Sequence, residues 1–282
     1  MRKISGKLLE LTRDLVFQEL FGKQKNKEIT AHLLSLILGR EIENIDLDVN
    51  KRMLGNRERS KTGRLDIRAK FNDGEDCNIE LQVKPYPEME KRMLEYWGSM
   101  YTAKIDSGDL YSELKPTISI LIADYNIPKL KEISKYHTIW NLREKEYKET
   151  ILTKDIEMHI LEIPKINDKE MLKDELVQWL RFIKEPENER VKKFMGENKY
   201  LEQARKELEH LSGDPDFKRL LESRAGFLRD EATQMAEARK EGKREGRKED
   251  QLKIAKKMKD RNIPIEEIIN LTELSKEEIQ KL

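Results

Sequence analysis

The chain has 282 residues, room for one large domain or a core with an appendage, and enough to bury a hydrophobic core. Charged residues make up 39% of it, so much of the chain is solvated helix surface. Lys plus Arg number 56 against 55 Asp plus Glu, so the net charge of +1 gives no bulk attraction to nucleic acid. Any such binding needs local basic patches. Cys77 stands alone, which excludes a disulfide framework and a thiolate metal site. The histidines, His32, His137, His159 and His210, lack ligand spacing, which argues against zinc. With no membrane-length apolar run and no signal-peptide core near the start, the expected setting is a reducing cytoplasm.

The chain opens helical. DLVFQELFG carries Leu15, Phe17, Leu20 and Phe21 for packing and stops at Gly22, with Asp14 read as a cap. ITAHLLSLILG repeats the helical spacing and ends at Gly39. NIDLDVN is a short strand candidate. A polar loop follows, NRERSKTGR, whose Arg57, Arg59, Lys61 and Arg64 form a candidate phosphate grip beside the segment that comes next.

That segment, RLDIRAKFNDGEDCNIELQVK, is two alternating runs around Asn72-Asp73-Gly74, a hairpin signal. PEMEKRMLEYWGSMYTAKI is expected to be a helix with Pro87 in its first turn and an apolar stripe running from Met89 to Tyr101. Arg92, one turn before Tyr96, points either to a cleft or to water; Trp97 is read as core. PTISILIADY is a buried strand, and HTIWNL, ETILTK and MHILEIP are three more strand candidates. From about Asp168 the pattern is helical. A shift near Gly213-Asp214-Pro215 sets residues 1–212 apart from a charged helical tail, 213–282. The tail ends in two short helices, with Ser275 and Glu278 forming a capping box at the second. Gly242 and Gly246 share one face of the charged helix, which points to either close packing in a homo-oligomer or a linker.

The second run of the hairpin sets an acid, an amide and an amine, Glu80, Gln82 and Lys84, on one parity. A three-residue loop pairs Phe71 with Glu75 and, counting back, Asp66 with Glu80. Opposed residues share a face with Cβ atoms roughly 5 Å apart, and two carboxylates that close invite a cation. A two-residue loop, Asp73-Gly74, separates the acids onto opposite faces. A solvated hairpin edge is the other reading of the same charges.

Asp66, then Glu80-Leu81-Gln82, then a helix bearing Tyr96-Trp97 and Tyr101, resembles the PD-(D/E)XK nuclease superfamily. More narrowly the chain is similar to the recombination-promoting nuclease/transposase family. DLVFQELFG matches that family's D-x-x-F-K-x-x-F-G start with Gln18 for the usual lysine, and the tail with its L-S-x-E-E-I-x-x-L ending matches as well. The resemblance implies an α/β core with a mixed sheet flanked by helices. It implies a metal-dependent DNA endonuclease, linked to recombination or mobile elements, with Asp66 and Glu80 as ligands of Mg²⁺ or another divalent cation such as Mn²⁺. It puts Gln82 where most of the superfamily has the water-activating lysine, and an amide has no charge for that role. Lys84, one strand period further, is the candidate substitute; Arg92 joins the loop cations as a DNA-binding candidate. The alternative is a DNA-binding protein that keeps the fold without the catalysis.

Overall fold

The structure, a computed structural model, describes residues 7–48, 67–105, 108–167, 174–194 and 196–282. Asp66 and the loop bearing Arg57, Arg59, Lys61 and Arg64 lie outside the described residues. By contact the chain divides into two compact units, Met1–Asp214 and Pro215–Leu282.

The first unit begins with α1 (Asp14–Phe21) and α2 (Lys27–Leu38). Asp14 is the first helical residue, where its charge favours the helix dipole; the cap position is Arg13, which makes no side-chain cap bond. α2 stops at Gly39, whose φ of 64° is left-handed, a conformation that glycine adopts without steric cost. Then come β1 (Ile45–Asp48), β2 (Ile67–Phe71) and β3 (Asp76–Gln82), followed by α3 (Met89–Thr102) and β4 (Thr117–Ala123). After β5 (His137–Arg143) and β6 (Ile151–Glu162) the chain turns helical in α4 (Glu175–Lys184), α5 (Glu189–Phe194) and α6 (Lys199–Gly213). Asp174 caps α4 by accepting from the N–H groups of Leu176 and Val177, and Asn198 caps α6 in the same way.

Among the described residues the strands form one mixed sheet in the order β1-β2-β3-β4-β6-β5. β3, β4 and β6 run parallel at its centre, and β1, β2 and β5 pair antiparallel. β4 is buried along its whole length, as its apolar run requires of a strand covered on both faces. α1, α2, α4 and α6 pack together around an aromatic cluster of Phe17, Phe21, Trp179 and Phe182.

Two further expectations need correction. ETILTK and MHILEIP are one strand: the residues between them, Asp155-Ile156-Glu157, include no glycine or proline, and the ladder runs through as β6. Its first half pairs only with β5 among the described strands, with an irregularity opposite Leu142, and its second half pairs with both β4 and β5. Pro87 does not lie in the first turn of α3 but two residues before it, because Glu88 between them is left-handed at φ 58° and stands outside the helix.

The second unit is α7 (Pro215–Asp260), α8 (Ile265–Thr272) and α9 (Lys276–Gln280). Ser275 and Glu278 form the capping box at α9. Ala255, Ile268, Leu274 and Ile279 make a small core that folds the two short helices onto the end of α7. α7 runs as one helix through Gly242 and Gly246, and a Cβ at either would meet open space within the described chain.

Candidate active site

The turn between β2 and β3 determines everything downstream. Phe71 and Glu75 pair around the three-residue loop, with Gly74 at φ 88° and its N–H bonded to the carbonyl of Phe71. The ladder continues as Lys70 opposite Asp76, Ala69 opposite Cys77, Arg68 opposite Asn78 and Ile67 opposite Ile79. This is the longer of the two loop registers open from the sequence.

β3 then divides by parity. Cys77, Ile79 and Leu81 are apolar and buried, and burial pushes the Cys77 thiol well above its usual range. Asp76, Asn78 and Glu80 face the other way and are buried too, between 1% and 3% exposed. Their face is covered by α3: Met89 and Met93 of the helix pack on Leu121 and Ala123 of β4, whose partners on β3 are Glu80 and Gln82. A row of polar groups is thus enclosed beneath a helix, where each must find a partner.

Along that row each group finds one. Asp76 takes Arg68 at 2.8 Å and Lys104 at 3.2 Å. Burial pulls the Lys104 ammonium below its usual pKa, and the Asp76 charge opposes that. Asn78 accepts from the Ser119 hydroxyl at 2.6 Å. Glu80 meets the guanidinium of Arg92 at 3.0 Å. Arg92 also donates from Nε to the Tyr96 hydroxyl at 2.6 Å and lies over the rings of Tyr86 and Tyr96, at 4.9 and 5.1 Å from their centres. Burial works against its charge, but Glu80 and Tyr96 prevail, so its pKa stands above the ordinary value.

The strand ends at Gln82, half-buried, whose amide donates to the carbonyl of Lys84 at 3.3 Å. Val83 and Lys84 have left the ladder and are exposed, so period-two parity no longer governs Lys84. Trp97, expected in the core, is half-buried: its indole N–H donates to the carbonyls of Thr117 and Asp155, and its ring stacks on Tyr101 at 5.0 Å. Of the sequence candidates, the structure thus brings together Glu80 and Arg92, sets Gln82 beyond Glu80 on the strand, and leaves Lys84 on the exposed turn.

Several site neighbours were not read from the sequence. Arg68, Asp76 and Lys104 form one such group; the alternation that singled out Glu80 extends back to Asp76 and was the available signal. Glu162, fully buried at the end of β6, is met by Lys165 at 2.5 Å and by the N–H of Ile127. On the opposite face of the sheet, in register with Ile79 rather than Glu80, His159 lies 2.9 Å from His137 across β6 and β5 and reaches Glu157 at 2.8 Å; the two histidines are twenty-two residues apart and without ligand spacing.

Oxygen donors at the mouth of this row suit a hard divalent cation with water and phosphate completing its shell. Among the described residues no group of three or more His, Cys, Asp or Glu side chains is disposed to hold a metal ion. No helix among them is long and apolar enough to cross a membrane.

A family model described as PD-(D/E)XK nuclease family transposase matches residues 11–238. No curated protein and no solved structure matches the chain.

Proposed function

This chain belongs to the PD-(D/E)XK nuclease family transposases, and from that premise we propose that it is an endonuclease hydrolysing DNA phosphodiester bonds at the Glu80 end of β3, with Mg²⁺ or Mn²⁺ held by Asp66 and Glu80. The observation that carries the reading is the β2–β3 register. Ile67 stands opposite Ile79; in the sequence Asp66 immediately precedes Ile67 and Glu80 immediately follows Ile79. The donor set fits: two carboxylates and an amide, with nothing soft among them.

A divalent cation bound there supplies Lewis acidity at the phosphoryl oxygen and a bound water of lowered pKa. In hydrolysis a water oxygen adds to phosphorus and the bond from phosphorus to the leaving oxygen breaks. Gln82 accepts from and orients that water through its amide oxygen, its amide nitrogen being engaged by the Lys84 carbonyl. Lys84 offsets negative charge on phosphate from the exposed turn, and Arg57, Arg59, Lys61 and Arg64 add backbone contacts that carry no sequence information. The family's description as transposases is what supports a link to recombination or mobile-element movement.

Binding without cleavage is the second reading, favoured by neutral Gln82 where a lysine is usual in the superfamily. Nicking of supercoiled plasmid with Mg²⁺ or Mn²⁺ separates the two. Wild type that nicks, with Asp66→Ala inert yet still DNA-binding, supports hydrolysis; equal inertness of both, with DNA bound, supports the second reading.

A further inference from the structure

Two carboxylates on the α3-facing side of β3 are neutralised in different ways. Asp76 is clamped between Arg68 and Lys104, cations from β2 and from the segment after α3, and its side chain is 2% exposed. Glu80, with a side chain 4% exposed, meets Arg92, whose own side chain is 26% exposed and which extends from the solvent edge of α3. The guanidinium is held by the Tyr96 hydroxyl and by two ring faces, one of them the 46%-exposed Tyr86.

Resting on the reading of Glu80 as a metal ligand, we propose that Arg92 is a built-in counter-ion for that carboxylate. It keeps Glu80 compensated when no metal is bound and competes with the divalent cation for it, thereby setting the site's metal affinity. A buried carboxylate stripped of its partner is strongly destabilising, so the metal-free fold needs Arg92. A divalent cation arriving at the same carboxylate meets a positive charge a few ångströms away. Even at a dielectric close to that of water, the repulsion of a divalent cation by one positive charge about 6 Å away weakens binding by roughly tenfold. Arg92 is therefore a positioning residue, acting through Glu80, and the clasp of Tyr86 and Tyr96 determines how firmly it competes.

Thermal unfolding of the full chain, in EDTA and along a MnCl₂ titration, tests this with wild type, Arg92→Gln and Glu80→Gln. Arg92→Gln is expected to unfold several degrees below wild type in EDTA. It is expected to gain more from Mn²⁺, with apparent affinity roughly tenfold or more tighter. A merely structural role lowers both conditions equally and leaves the Mn²⁺ affinity unchanged. If Arg92→Gln does not fold, Tyr86→Ala, which loosens the clasp at an exposed position and keeps the charge, is expected to tighten Mn²⁺ in the same direction by a smaller factor. Wild-type affinity in the variant used, with wild type stabilised by Mn²⁺ and Glu80→Gln not, overturns the counter-ion role and leaves the metal site standing. No stabilisation of wild type, or equal stabilisation of Glu80→Gln, overturns the metal reading and this inference with it.

Discussion

Arg68 and Asp76 close the hairpin diagonally, Nη2 to Oδ2 at 2.8 Å and Nε to Oδ1 at 3.3 Å, with Lys104 at 3.2 Å from the same Oδ2. The carboxylate is buried and its partners are largely so. Deleting one member of such a set leaves desolvated charge behind, at a cost of about 3–5 kcal/mol. Asp76→Ala is therefore expected to lose that much in urea unfolding, and a loss below about 1 kcal/mol would mean that solvent reaches this cluster freely.

His137 contributes a pH dependence of stability. Burial, reinforced by His159 and opposed by Asp174, pushes it down to about 4. The unfolded chain, at about 6.5, takes up this proton first as pH falls, so the folded state loses stability between about pH 6.5 and pH 4 and no further below. The slope of melting temperature from pH 7 to pH 5 should be shallower in His137→Gln than in wild type. Parallel slopes would show that His137 titrates alike in both states.

On the proposed reading, Gln82 and Lys84 divide a task that one lysine performs in most of the superfamily. Gln82→Lys is expected to keep or raise cleavage, since a charge then stands on the strand itself beside Glu80. Lys84→Ala is expected to slow cleavage tenfold or more while leaving Mn²⁺ affinity unchanged, because an ammonium is no ligand. Wild-type rates in both Lys84→Ala and Gln82→Ala would remove these residues from the chemistry.

The tail glycines offer a direct reading of self-association. Each costs about 1 kcal/mol against alanine in a helix interior, and a Cβ at Gly242 or Gly246 meets open space within the described chain. The double alanine variant should raise α7 helicity by circular dichroism if nothing packs there. Should a second copy close against the glycines, the same variant instead lowers the mass seen by light scattering.

What the sequence disclosed follows from the range of the interactions. Gly74 and its neighbours specify the hairpin locally, so the register of β2 against β3 can be counted outward from the turn. The apolar run Thr117–Ala123 announced a strand buried on both faces, and Ser275 with Glu278 announced the start of α9. Arg92 could not be assigned, because its direction depends on how α3 rotates over the sheet, which the packing of Met89 and Met93 determines. The His137–His159 contact depends on β5 pairing back onto β6, a relation between residues that no local spacing encodes. Lys84 was placed by extending strand parity past Gln82, where the ladder stops.

The central claim is that Glu80 holds the cation that drives DNA hydrolysis. Single-turnover cleavage measured against Mg²⁺ concentration, in wild type and Glu80→Gln, tests it most directly. The expected result is a rate that saturates with Mg²⁺ in wild type, vanishes in EDTA, and falls at least a hundredfold in Glu80→Gln while DNA binding persists. Cleavage that continues in EDTA, or at the wild-type rate in Glu80→Gln, would contradict it.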